Sequence, residues 1–114
     1  MKGTLLLLIL GIVPAIEAQQ LTTAQAKGHE GQTATVCGVV ASEHTATSSR
    51  GRPTFINLDA AYPNQVFTIL VWGDDRNNVG ALPQNGTHVC VTGLITDYHG
   101  VPEMVVRSKQ QLTH

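Results

Sequence analysis

Cys37 and Cys90 constrain this chain more than any other pair of residues, because each sits in a run suited to β-structure, VCGVV and VCVTGLI. Val, Ile and Thr are stiff at χ1 and pack well on a pleated surface, so both runs read as strands. Counted with period two, Cys37 is out of phase with Val36, Gly38 and Val40, and Cys90 is out of phase with Val89 and Val91. Both cysteines can therefore leave the same side of their strands, away from the valines. An even cysteine count in an exported chain favours a disulfide, with two free buried thiols as the alternative. A bridge makes neighbours of two strands 53 positions apart in the chain.

Export is read from residues 1–18, which have the layout of a signal peptide. Lys2 supplies a positive start, residues 5–13 form an apolar run of nine broken only by Gly11, and Pro14 precedes a small-residue segment with cleavage after Ala18 or Ala15. Nine residues cannot span a bilayer core, which needs about 20. A retained anchor or buried helix is the alternative, and the expected location is the periplasm or the extracellular space. Cleavage after Ala18 leaves 96 of the 114 residues and removes Lys2 and Glu17, so six Lys and Arg face seven Asp and Glu and the net charge stays at −1. Nonspecific grip on a polyanion scales with the phosphates neutralised, so this composition excludes a strongly basic nucleic-acid coat protein. One domain is expected at this length.

Residues 19–31 read as a helical lead-in. Thr22 and Gln25 fit a capping box, with Leu21 placed to staple against Ala26 and Gly28 or Gly31 to end the turn. Residues 32–108 are then a succession of strands. The first covers residues 32–44, with Gly38 as a bend or bulge, and the polar loop TATSSRGR follows. Residues 52–72, RPTFINLDAAYPNQVFTILVW, hold both phenylalanines, one tyrosine and the only tryptophan, and read as two strands joined by a proline-containing turn. In the first of them Thr54, Ile56 and Leu58 share one face, and Phe55 and Asn57 share the other. In the second, Phe67, Ile69 and Val71 are assigned inward because Thr68 interrupts the set with Leu70 and Trp72.

Asp74 is placed to cap a short helix running toward Val79 or Leu82, and Pro83, Asn85 and Gly86 end it. Two more strands, residues 87–97 and 101–107, flank a hairpin turn at Tyr98, His99 and Gly100. Residues 109–114 are polar and expected to fray. The expectation is an all-β fold: a five-stranded OB-fold, a small Greek-key barrel, with a short N-terminal helix and a short helix between strands 3 and 4. In that topology the first and fourth strands are adjacent, as a Cys37–Cys90 bridge requires. An open α+β sheet is the rival.

The runs GQTATVCGVVAS, SSRGRPTFINLDAAYPNQVFTILVWGDDR and HVCVTGLITDYHGVPEMVVRS resemble a family of small bacterial exported OB-fold domains, commonly described as predicted nucleic-acid-binding. The resemblance covers residues 26–110, with PTFINL, PNQVFT and YHGVPEMVV as its specific motifs. It implies the barrel and suggests nucleic acid as ligand, but it supplies no binding residues.

OB-folds bind single strands on the face of strands 2 and 3, flanked by the loops after strands 1 and 4. On that frame Phe55 and Trp72, with Tyr62, offer stacking surfaces. Arg50, Arg52 and Arg107 can contact phosphate, while Tyr98 and His99 line the second loop. The competing reading packs Phe55 and Trp72 under the N-terminal helix and leaves the arginines as solvated loop charges. The expected partner is single-stranded DNA or RNA; the alternative is a periplasmic protein or small ligand in the same groove, against Phe55, Leu70 and Trp72.

A catalytic or metal role is not expected. Asp59, Asp74, Asp75, Asp97 and Glu103 are the carboxylates a metal-dependent nuclease would draw on, but no spacing brings them together. His29, His44, His88, His99 and His114 are scattered without metal-ligand spacing, and no phosphate loop or nucleophile elbow is present. The expected activity is noncatalytic binding without a cofactor.

Overall fold

The computed structural model describes residues 18–114, so the signal-peptide reading of residues 1–17 lies outside the described residues. Thr33–Thr45 forms a long strand, β2, on which the rest is assembled. Its first half pairs antiparallel with β5 (His88–Leu94) and, along its other edge, parallel with β1 (Gln19–Thr22). Its second half pairs antiparallel with β3 (Thr54–Leu58). The register shifts between Val40 and Ser42, and that shift lets one strand serve both groups of partners. Gly38, expected to be the bulge, stays in register with Val89. Its lack of a side chain serves a different need: a Cβ there would meet Asp59 Oδ2 and Thr23 Cγ2, each at 2.8 Å.

The remaining strands are β4 (Phe67–Val71), β6 (Thr96–Tyr98), β7 (Val101–Val105) and β8 (Leu112–Thr113). They extend the order to β6-β7-β4-β3-β2-β5-β8, with β1 beside β2. The fold is thus mostly β, but as a mixed sheet of eight strands, where five were expected. Three differences make up the change in count. The lead-in opens with a strand, the fourth expected strand divides into β5 and β6 around Ile95, and the C-terminal residues add β8. Residues expected to fray are held instead: Leu112 is buried and pairs with Val91 after a 3₁₀ turn at Lys109–Gln111 closed by a Ser108–Gln111 capping box.

The short helix α1 (Thr23–Ala26) carries the expected capping box, with Thr22 Oγ1 accepting from Gln25 N and Gln25 Oε1 accepting from Thr22 N. The helix between β4 and β5 starts differently. A 3₁₀ turn at Gly73–Asp75 leads into α2 (Arg76–Val79), and neither start has a side-chain cap. Asp74 points instead to Arg52, 3.7 Å away across the surface.

The core follows the alternation read from the sequence. Val36, Val40, Ile56, Leu58, Phe67, Ile69, Val71, Val89 and Val91 are buried, joined by Ile95, Met104 and Val106. Cys37 lies directly opposite Cys90 and the two form a disulfide, with Cα atoms 4.0 Å apart. Asp59 adds a second tie: in the left-handed region at φ 66, it accepts from Val39 N at 2.8 Å and from Thr23 Oγ1 at 2.5 Å. It thereby fastens α1 and the end of β3 to β2.

Two stability effects should follow. Replacing both cysteines by Ala opens a loop spanning 53 positions and should cost up to about 4 kcal/mol in urea unfolding. Asp59→Ala removes the acceptor of a main-chain N–H and a hydroxyl that are only partly shielded from water, and should cost about 0.5–1.5 kcal/mol. A loss within error for Asp59→Ala would mean that water replaces both hydrogen bonds without penalty.

Candidate functional site

Strands β3 and β4 turn one face to the core and the other to a cleft of about 870 Å³. The cleft is built row by row from cross-strand neighbours. Ser42 is opposite Asn57, Asn57 opposite Thr68, and Thr68 opposite Glu103, so four polar side chains from β2, β3, β4 and β7 form its floor. Two residues further along each strand, His44 is opposite Phe55 and Phe55 opposite Leu70; His44 and Phe55 line the cleft, while Leu70, expected in the same groove, is buried and does not. The turn before β4 adds Tyr62, Pro63 and Gln65, and the β6–β7 hairpin adds Tyr98, His99 and Val101.

Local hydrogen bonds hold much of this floor in place. Asn57 Nδ2 donates to Ser42 Oγ at 3.0 Å, Thr68 Oγ1 donates to Asn57 Oδ1 at 3.2 Å, and Tyr62 N donates to Ser42 Oγ at 3.1 Å. The hairpin is fixed as well. His99 and Gly100 take φ of 52° and 87°, as a tight two-residue hairpin turn requires, and Gly100 N donates to Asp97 Oδ2 at 3.1 Å. Lys27 Nζ reaches across from the end of α1 to Gly100 O at 2.7 Å. The Tyr98 and His99 rings meet edge to face with centroids 4.2 Å apart.

Three of the expected binding residues, Phe55, Tyr98 and His99, line this cleft, together with Tyr62. The other four do not. Arg52 lines a separate polar cleft with Thr45, Thr47, Asp74 and Arg76. Trp72 lies outside this cleft and remains exposed, with one side of its ring against the loop before β3, where a Cβ on Gly51 would come within 2.8 Å of the indole Cε3. Arg50 and Arg107 are exposed and line neither cleft. None of these arginines lines the cleft that holds Phe55, Tyr98 and His99.

The cleft contains carboxylates instead. Glu43 and Glu103 line it, and no Lys or Arg does. Glu103 is only 9 % exposed and pairs with no cation among the described residues. Burial holds its carboxyl above the ordinary value of 4.5. Burial also raises Glu43, partly opposed by the charge of Arg76. Gln65 Oε1 is buried without a hydrogen-bond partner.

Ser42, Asn57, Gln65, Thr68 and Glu103 were not singled out as binding residues from the sequence. A signal for two of them was present: Asn57 shares the face of Phe55, and Thr68 interrupts an otherwise apolar strand. Asp59, weighed as a catalytic carboxylate, is a structural clasp, and Asp97 holds the hairpin turn. Among the described residues no three His, Cys, Asp or Glu side chains group so as to hold a metal ion. No helix among them is long and apolar enough to cross a membrane.

A raised carboxyl binds its proton more readily in the folded protein than in the unfolded chain, so its ionisation works against the fold. That penalty is absent below the unfolded value of 4.5, grows as pH rises through the folded value, and is constant beyond it. Glu103→Gln should therefore raise the melting temperature at about pH 7.5 and lose the gain near about pH 4. An equal gain at both pH values would assign the effect to packing rather than charge.

No protein-family model matches this chain, and no curated protein matches it at a significant level.

Proposed function

We propose that this protein is an exported, noncatalytic binding module of the OB type that takes a small molecule or a single peptide side chain in the cleft over β3 and β4. Several features support the OB reading. β5 and β6 are separated only by Ile95, so they can be taken as one strand bent at that residue, pairing with β2 before the bend and with β7 after it. On that reading the antiparallel β2/β3 and β3/β4 pairs and the parallel β4/β7 pair would be the remaining sides of a five-strand OB ring. The cleft then occupies the face of strands 2 and 3 between the two loops where OB modules take their ligands. The Cys37–Cys90 disulfide supports an oxidising compartment, the periplasm or the exterior.

The observation that carries the choice of ligand class is the lining itself: aromatic rings over a polar floor that ends in the Glu103 carboxylate, with Glu43 also on the lining and no Lys or Arg. Its volume suits a small organic ligand. Stacking on Phe55 and Tyr98 would serve a nucleic-acid base equally well, but binding of single strands gains much of its strength from cations that track the phosphates.

The test is a screen of neutral and charged fragments against the oxidised protein by amide chemical-shift mapping, run beside a labelled single-stranded oligonucleotide at low and moderate salt. Fragment binding should map to Phe55, Asn57, Tyr98 and Val101, and Phe55→Ala should weaken it about tenfold through lost ring contact. Micromolar oligonucleotide binding that falls with salt and is weakened by Arg52→Ala would overturn this reading in favour of a single-stranded nucleic-acid module.

A further inference from the structure

The rows of side chains under the cleft differ in how much hydrogen-bonding capacity they have left. Ser42 Oγ accepts from Asn57 and from Tyr62 N, and Asn57 Oδ1 accepts from Thr68, so these acceptors are engaged within the protein. Two acceptors are not. Gln65 Oε1 is buried without a donor, and the Glu103 carboxylate has no cationic partner; the sole ion pair among the described residues, Arg52 with Asp74, lies outside this cleft. A poorly hydrated carboxylate without a counter-charge is costly, and an unpaired buried acceptor adds to the cost. A ligand that brings donors and positive charge relieves both.

We propose that the cleft selects a planar organic cation, an amidinium or guanidinium group, which lies against the rings of Phe55 and Tyr98 and donates hydrogen bonds to Glu103 and Gln65. Charge complementarity is the first support: the charged groups lining the cleft are Glu43 and Glu103, with His44 and His99 as its only other titratable groups apart from the tyrosines. The rings are the second, because the face of an aromatic ring attracts a cation, and a planar one stacks on it while its edge stays free to donate. The donor geometry is the third. A forked N–H pair matches a carboxylate with two parallel hydrogen bonds, which a compact ammonium group cannot reproduce. This inference rests on the reading of the cleft as the binding site, and it specifies the ligand's chemical class.

Benzamidine and its neutral counterpart benzamide separate the two claims, since they share a ring and differ in charge. Titrated into the oxidised, isotope-labelled protein, benzamidine should shift the amides of Phe55, Asn57, Thr68 and Val101, and benzamide should bind at least about tenfold more weakly. Glu103→Gln, which retains the side chain's shape and removes its charge, should abolish the preference so that the two probes bind alike. Phe55→Ala should weaken both. Equal affinity for the two probes in the native protein, or a preference that survives Glu103→Gln, overturns the cation inference while leaving the cleft reading in place if Phe55→Ala still weakens binding. Benzamidine shifts that map outside the cleft, or none up to about 10 mM, overturn the cation inference directly.

Discussion

The structure depends on what β2 is made to do. A strand has two edges, and each main-chain N–H and C=O along them needs a partner once buried. In β2 those edges are divided among β1, β3 and β5, and the register shift between Val40 and Ser42 turns the strand from one group to the other. Val36 and Val40 reach the core on one side of that shift, while Ser42 and His44 reach the cleft on the other. A single irregularity thus separates the part of β2 that builds the core from the part that builds the site. The Cys37–Cys90 bridge and the Asp59 clasp tie down the first part, and Ser42 hydrogen-bonded to Asn57 and Tyr62 anchors the second.

Strands β3 and β4 show how one pair of strands serves two purposes. Ile56, Leu58, Phe67, Ile69 and Val71 are fully buried and supply apolar area to the core. On the opposite face Asn57 and Thr68 are also buried, yet they are polar, and their hydrogen bonds run across the sheet rather than to solvent. A polar row in this position is not what an interior packing surface needs. It lies beneath a cleft, where the engaged polar groups hold the floor and two acceptors, on Glu103 and Gln65, are left without a cation or a donor. The hairpin carrying Tyr98 and His99 is tied down by Lys27 and Asp97, so one wall of the cleft is held by α1 and by its own turn.

Much of this was legible along the chain, and the failures share a cause. The strand phases of β3 and β4, the capping box at Thr22, the hairpin at His99 and Gly100 and the cysteine pairing all depend on residues close in sequence or on strict alternation. The missed features depend on partners elsewhere. Gly38 suggested a bulge, but its small size answers the approach of Thr23 and Asp59. Asp74 has the composition of a cap, yet Arg52 draws it outward. The polar C-terminus looked free because Leu112 is a single apolar residue, and only the exposed edge of β5 gives it a place to pair and be buried.

The sequence by itself determined which residues of β3 and of β4 share a face, because alternation in a strand is a property of the backbone. It also determined that Cys37 and Cys90 leave their strands on a common side. The tertiary structure decided which outward residues share a site. Arg52 and Phe55 are three positions apart, yet they line different clefts, while Phe55 and Glu103, 48 positions apart, line the same one. The physical reason is that the charge surrounding a ligand is set by strand order and register, which bring β7 beside β4 and carry a carboxylate, rather than an arginine, to the floor beneath the aromatic rings.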